Sequence, residues 1–202
     1  MAARPPHPHP AHDPHDPGGR VRHAVAGDTT TTATFSPDRR HRYLVERRWD
    51  GRPLGTPSGL CAFVGMNPST GDETHDDPTM AGCSARARDW GFGGFVMLNA
   101  FAYRATDKAR LLEVDDPVGP ENDATILAHA ARADRLIVAW GQPPRPLAGR
   151  GPRLAALLAE AGLRPLCFAV NRDGSPKHPL YVARRAPLVA YPLPPSAIAP
   201  PG

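Results

Sequence analysis

At 202 residues, 41% of them hydrophobic, the chain has the length and apolar content for one domain with a full core. A formal net charge of +4 permits a nucleic-acid or phosphate partner without requiring one. No apolar run reaches membrane-spanning length and the N-terminus lacks the apolar core of a secretory signal, so a cytoplasmic protein with no membrane partner is expected.

Residues 1–33 read as a disordered tail. Residues 1–17 are rich in Pro, His and Asp, and a run of four threonines follows at 29–32, which buries too little apolar surface to offset ordering entropy. His7, His9, His12 and His15 suit adventitious metal binding rather than catalysis. A single domain is expected over 34–191, with a Pro-rich tail over 192–202.

Residues 42–49 alternate enough for an edge strand or a hairpin arm, and 51–59 form a turn-rich loop. The continuous apolar run 60–66 predicts a central, fully buried strand. Asp77 followed by Pro78 predicts a helix N-cap and a first-turn proline, with the helix ending near Trp90 and stopped by Gly91. A strand is expected over 95–99 and a short helix from Thr106 or Asp107 to Leu112. A longer helix opens at Pro120 and turns Ile126, Leu127 and Ala130 inward. A strand over 136–140, a helix over 153–161 closed by Gly162 and a strand over 165–170 complete the pattern. This alternation predicts a three-layer α/β/α domain with a mostly parallel central sheet. Cys61, Cys83 and Cys167 are far apart with no CxxC spacing, so they read as small buried thiols in a reducing compartment.

Three of these strands end in polar or glycine residues, and in an open α/β sheet such ends gather at one edge, where ligands bind. After the first, Asn67-Pro68 breaks the strand and Ser69, Thr70 and Gly71 follow, serving either a ligand or an ordinary turn. Asn99 ends the second. Its amide is both donor and acceptor, suited to a base edge or to capping its own strand. Phe101 and Tyr103 just beyond it offer stacking surfaces, worth about 1–3 kcal/mol per base.

His178 stands in an extended loop between Pro176 and Pro179. A neutral imidazole there either donates to an oxygen that becomes anionic in a transition state or is an ordinary surface-loop histidine. Among Asp72, Glu73, Asp76 and Asp77, the last is a helix cap and Asp76 balances the helix dipole, which leaves Asp72 as the candidate water activator. Arg40 and Arg42 occupy alternate positions, suiting them equally to clamping phosphate and to protecting an edge strand. No metal or cofactor is expected.

Taken in order, these segments resemble the uracil-DNA glycosylase superfamily. Gly65-Met66-Asn67-Pro68 resembles its water-activating motif in the Asn-bearing form, and Met97-Leu98-Asn99 its strand ending in a base-reading Asn. Trp140-Gly141 closes a strand similar to its later one, and His178-Pro179 resembles its His-Pro motif. The chain from Phe35 to about Tyr191 also resembles an uncharacterised bacterial family of unknown function. That resemblance is carried by segments such as Asp76-Asp77-Pro78-Thr79 and Asn99-Ala100-Phe101-Ala102-Tyr103-Arg104. The glycosylase resemblance implies hydrolysis of an N-glycosidic bond in a nucleobase-containing substrate. Asn67 and its loop would position water, Asn99 would read the base, Phe101 or Phe92 would stack on it, and His178 would stabilise the leaving base. Asn67 stands where the most active branch has Asp, and the His-Pro segment lacks the serines of the DNA enzymes. Two alternatives therefore stay open: a glycosidase of free nucleosides or nucleotides, and a non-catalytic module binding nucleotide or nucleic acid. The expected partner is nucleic acid or a nucleotide, and the expected state a monomer.

Overall fold

The computed structural model describes residue 15, residues 22–56 and residues 58–195. In chain order the strands and helices are β1 (His23–Ala24), β2 (Thr30–Phe35), β3 (Arg42–Arg48), β4 (Leu60–Gly65), β5 (His75–Asp76), α1 (Pro78–Asp89), β6 (Gly94–Asn99), α2 (Asn122–Ala130), β7 (Arg135–Val138), α3 (Arg150–Glu160), β8 (Leu166–Cys167) and β9 (Val189–Ala190). Short 3-10 helices occupy Lys108–Leu112, Arg145–Leu147 and Pro179–Tyr181.

Seven strands form one mixed sheet in the order β2-β3-β6-β4-β7-β8-β9, and β1 pairs with β5 apart from it. The four middle strands β6, β4, β7 and β8 are parallel. The flanking pairs β2/β3, β3/β6 and β8/β9 are antiparallel, so the sheet is mixed rather than mostly parallel.

β4 shows why the chain layers as it does. Its side chains alternate across the sheet. Leu60, Ala62 and Val64 join Val138 on one face and meet Ile126 of α2 and Leu154 and Leu158 of α3. Cys61 and Phe63 join Met97 and Ile137 on the other face, against Met80, Cys83 and Ala87 of α1. Fully burying one such large side chain stabilises by about 1.5–3 kcal/mol. α1 starts where the sequence predicts, with the Asp77 carboxylate accepting from the Met80 N–H at 2.9 Å. All three cysteines are free and buried, and burial pushes the Cys61 thiol up, away from reactivity.

Three expectations are corrected. Of the two readings of 42–49 the hairpin arm holds and the edge strand does not, because β2 pairs antiparallel with β3 and covers it with Ala33 and Phe35 turned inward. The boundary expected at residue 33 therefore falls within an ordered strand built from β-prone threonines. The strand expected at 165–170 shortens to the two residues of β8. Of the expected tails, residues 1–14, 16–21 and 196–202 lie outside the described residues. His15 packs its ring 5.3 Å from that of Tyr103.

The interior place of β3 accounts for its arginines. Arg42 donates to the Gly71 carbonyl at 2.6 Å and to Asn99 Oδ1 at 3.0 Å. Burial lowers the Arg42 guanidinium to about 10, which leaves it charged at neutral pH. Arg47 bonds Asp76 Oδ1 at 2.8 Å and the Asp72 and His75 carbonyls at 2.9 Å. Both side chains thus tie the loop between β4 and α1 onto the sheet. No helix among the described residues is long and apolar enough to cross a membrane.

Candidate functional site

A cleft of about 720 Å³ opens beyond the carboxyl ends of β4 and β7. Met66 and Asn67 continue β4 into it, and Trp140 and Gly141 enter it two residues past β7. Asp77 lines it from the start of α1, Asp107 and Lys108 from a facing 3-10 helix, and His178 and Tyr181 from the loop before β9. Segments separated by more than a hundred residues therefore meet at one sheet edge.

Asn67 sits in the cleft wall with both amide hydrogens engaged, donating to the Pro68 carbonyl at 3.0 Å and the Ala105 carbonyl at 2.8 Å. These bonds fix the amide orientation and leave Oδ1 as the atom for a ligand. An amide oxygen can accept a bond from a water molecule and orient it, but it cannot take the proton.

His178 N-caps the Pro179–Tyr181 turn, its Nδ1 accepting from the Leu180 N–H at 3.4 Å. With Nδ1 an acceptor, the neutral ring carries its proton on Nε2. Burial holds its pKa below the ordinary imidazole value, opposed by the Asp77 carboxylate and reinforced by the Lys108 ammonium. Gly141 makes room for this loop. It adopts φ 68°, and a Cβ there would lie 3.2 Å from the His178 Cβ. Arg86 of α1 reaches under the same loop, donating to the Pro179 carbonyl at 3.1 Å and the Val182 carbonyl at 3.2 Å.

Of the residues expected at the site, Met66, Asn67, Ser69, Trp140, Gly141 and His178 line the cleft. Others do not. Asn99 is buried beneath, its Oδ1 held by Arg42 and its carbonyl bonded by the Asn122 amide at 2.9 Å. Phe101 points into the core on the α2 and α3 side, and Tyr103 is buried against His41. Phe92 precedes β6 and so sits at the opposite sheet edge, under the Arg135 guanidinium at 5.0 Å.

Gly65 and Pro68 shape the backbone instead. A Cβ at Gly65 would meet the Met97 methyl at 2.6 Å, and the Pro68 carbonyl accepts from the Ala105 N–H at 2.9 Å. Thr70 is buried. Asp72 Oδ1 accepts from the N–H groups of Thr74 at 2.7 Å and His75 at 2.8 Å, a turn role away from the cleft. Arg40 is exposed ahead of β3 and Arg42 is buried within it, so the two do not form a clamp.

Sequence reasoning missed Asp77, Asp107, Lys108, Gln142, Asn171 and Tyr181 as cleft residues. Asp77 was legible only as a cap, although a carboxylate has two oxygens and the cap bond uses one. Among the described residues no group of three or more His, Cys, Asp or Glu side chains is placed to hold a metal ion.

Residues 42–180 match the model of the family described as Protein of unknown function (DUF1643), and the chain belongs to that family. No curated protein and no solved structure matches the chain.

Proposed function

We propose that this member of the DUF1643 family hydrolyses an N-glycosidic bond in a nucleobase-containing substrate, on a fold akin to that of the uracil-DNA glycosylase superfamily. The observation carrying this reading is the meeting of a neutral imidazole donor, a carboxylate and a fixed amide oxygen in one cleft at the strand ends. Cleavage of the C1′–N bond leaves negative charge on the base and oxocarbenium character on the sugar. His178 Nε2–H donates to the base oxygen on which that charge builds. Asn67 Oδ1 accepts from the attacking water, and Asp77 takes the water's proton as oxygen bonds to C1′. The departing base acquires its proton from solvent.

Asn99 is withheld from the base by Arg42, so reading of the base edge passes to the amides of Asn171 and Gln142 on the cleft wall. Asn171 donates to the Ser175 hydroxyl at 3.0 Å, which leaves its Oδ1 for the base. Stacking passes from Phe101 to Tyr181, a residue 81% exposed whose ring lies 5.7 Å from that of His178. The cleft volume, within the roughly 300–1,000 Å³ of small-ligand sites, favours a single nucleoside or nucleotide over a stretch of polymer.

The test is base release, read by mass spectrometry. The full chain is incubated with nucleosides, nucleotides, and single- and double-stranded DNA carrying uracil or hypoxanthine. Release is expected from at least one monomer and to fall about 100-fold or more in His178→Ala and in Asp77→Asn. Unchanged turnover in both variants refutes the assignment, and base binding without release from any substrate makes the protein a binding module instead.

A further inference from the structure

A second cavity of about 470 Å³ adjoins the cleft and shares Trp140 and Gln142 with it. On one side it is bounded by Ala148, Gly151 and Pro152, where α3 begins. Trp140 is 1% exposed, and its Nε1–H has no acceptor among the described residues. That donor faces the start of α3, since a Cβ on Gly151 would lie 3.1 Å from Nε1. Glycine at 151 therefore lets the start of α3 approach the indole N–H closely, where a methyl would crowd Nε1.

The helix end supplies more donors. α3 has 11 residues, no side-chain cap bond and no acidic residue in its first turn. The N–H groups of Arg150 and Gly151 have no carbonyl of their own helix to bond, and the helix dipole places partial positive charge there. The Arg150 side chain is turned inward, its Nε donating to the Ala100 carbonyl at 2.7 Å. Arg145, exposed on the preceding 3-10 helix, adds a full positive charge at the cavity. The Asp173 carboxylate also lines the cavity, accepting from the Ser175 hydroxyl at 2.7 Å and the Ser175 N–H at 3.1 Å, with the Gln142 side chain as a further partner. The indole N–H, the helix end and Arg145 thus line one cavity, an arrangement of donors and positive charge complementary to an oxyanion.

We infer that this second cavity is an oxyanion subsite that takes a phosphate group. Because it opens beside the cleft across Trp140, the phosphate is that of a nucleotide whose base occupies the cleft, a placement that rests on the function proposed above.

The experiment uses the full chain with inorganic phosphate, a nucleoside and its 5′-monophosphate as probes. Binding is measured by calorimetry, and the Trp140 indole N–H resonance is followed by NMR, assigned among the three tryptophans with Trp140→Phe. Phosphate and monophosphate are expected to shift that resonance, and the monophosphate to bind about tenfold or more tighter than the nucleoside. Gly151→Ala, whose methyl crowds Nε1, and Arg145→Gln, at an exposed position that leaves the fold intact, each remove that advantage. If inorganic phosphate shifts the resonance while the monophosphate gains nothing, the subsite stands with free phosphate as its ligand. If neither probe moves the resonance, or both variants bind phosphate like the parent chain, the subsite is refuted. None of these readouts needs turnover, so loss of the hydrolysis reading leaves the phosphate result interpretable, and base release without phosphate binding removes only the subsite.

Discussion

His178 concentrates the electrostatics of the cleft in one ring whose protonation reports on its neighbours. Burial lowers its pKa, the Asp77 carboxylate raises it and the Lys108 ammonium lowers it. The ring is therefore neutral at pH 7 and takes a proton only below the ordinary value of about 6.5. In the unfolded chain it protonates first, so the stability it contributes is full above about pH 6.5 and is lost as pH falls through its lower folded value. The same sign holds for His129, also lowered by burial. An NMR titration of the His178 ring is expected to give a midpoint below 6.5. Asp77→Asn should move that midpoint lower still and Lys108→Met higher. A midpoint at or above 6.5 would mean that the ring is not the buried neutral donor its bond to the Leu180 N–H describes.

Between the end of β7 and the loop carrying His178, one glycine decides how closely two segments approach. Gly141 holds φ 68°, where a residue with a side chain is strained by about 1–2 kcal/mol, and its Cβ position is 3.2 Å from that of His178. Gly162, after α3, has φ 71° with nothing within 4 Å of a Cβ. Alanine at either position is expected to lower Tm by roughly 2–8 °C. Only Gly141→Ala should also reduce base release and the exchange protection of the Leu180 N–H, because it alone displaces the His178 loop. Equal effects of the two variants on release would assign the loss to backbone strain and not to the imidazole. This approach was half legible in the sequence. The strand ending at Trp140-Gly141, the Asp77 cap and the Pro-flanked His178 all show in local patterns, because short-range chemistry produces them. The fate of Asn99 does not, because it depends on β3 pairing with β6 and so bringing Arg42 to its amide. Phe92 failed for a related reason, since strand direction sets which sheet edge a flanking residue reaches and a single strand's pattern carries no direction.

The domain as a whole is held by charges placed where a sheet of this size ordinarily has only apolar residues. Arg42, Arg47 and Arg48 are each 1% exposed on β3, and removing the partners of such a buried charge costs about 3–5 kcal/mol. Their partners come from both sides of the strand. Arg47 reaches Asp76 and the carbonyls of the loop leading to Asp77, and it also reaches the Thr31 hydroxyl of β2 at 2.9 Å. The outermost strand is thus linked through one guanidinium to the loop that ends at the cleft. Removing residues 1–33 would strip four of the six β2 partners, Thr30 to Ala33, from β3 and leave an antiparallel ladder open at the edge. We expect that truncation to lower Tm by roughly 5 °C or more, as a loss of about 2 kcal/mol would. Ligand affinity in the cleft should weaken with it, because Arg47 loses a bond that fixes its reach toward Asp72 and His75. Thr31→Val separates the two effects, keeping the strand and deleting only the hydroxyl. If the truncated chain matched the parent in both Tm and affinity, β2 would be a passive cover, and the loop carrying Asn67 would be held without it, by Arg42, Arg47 and the bonds to Ala105.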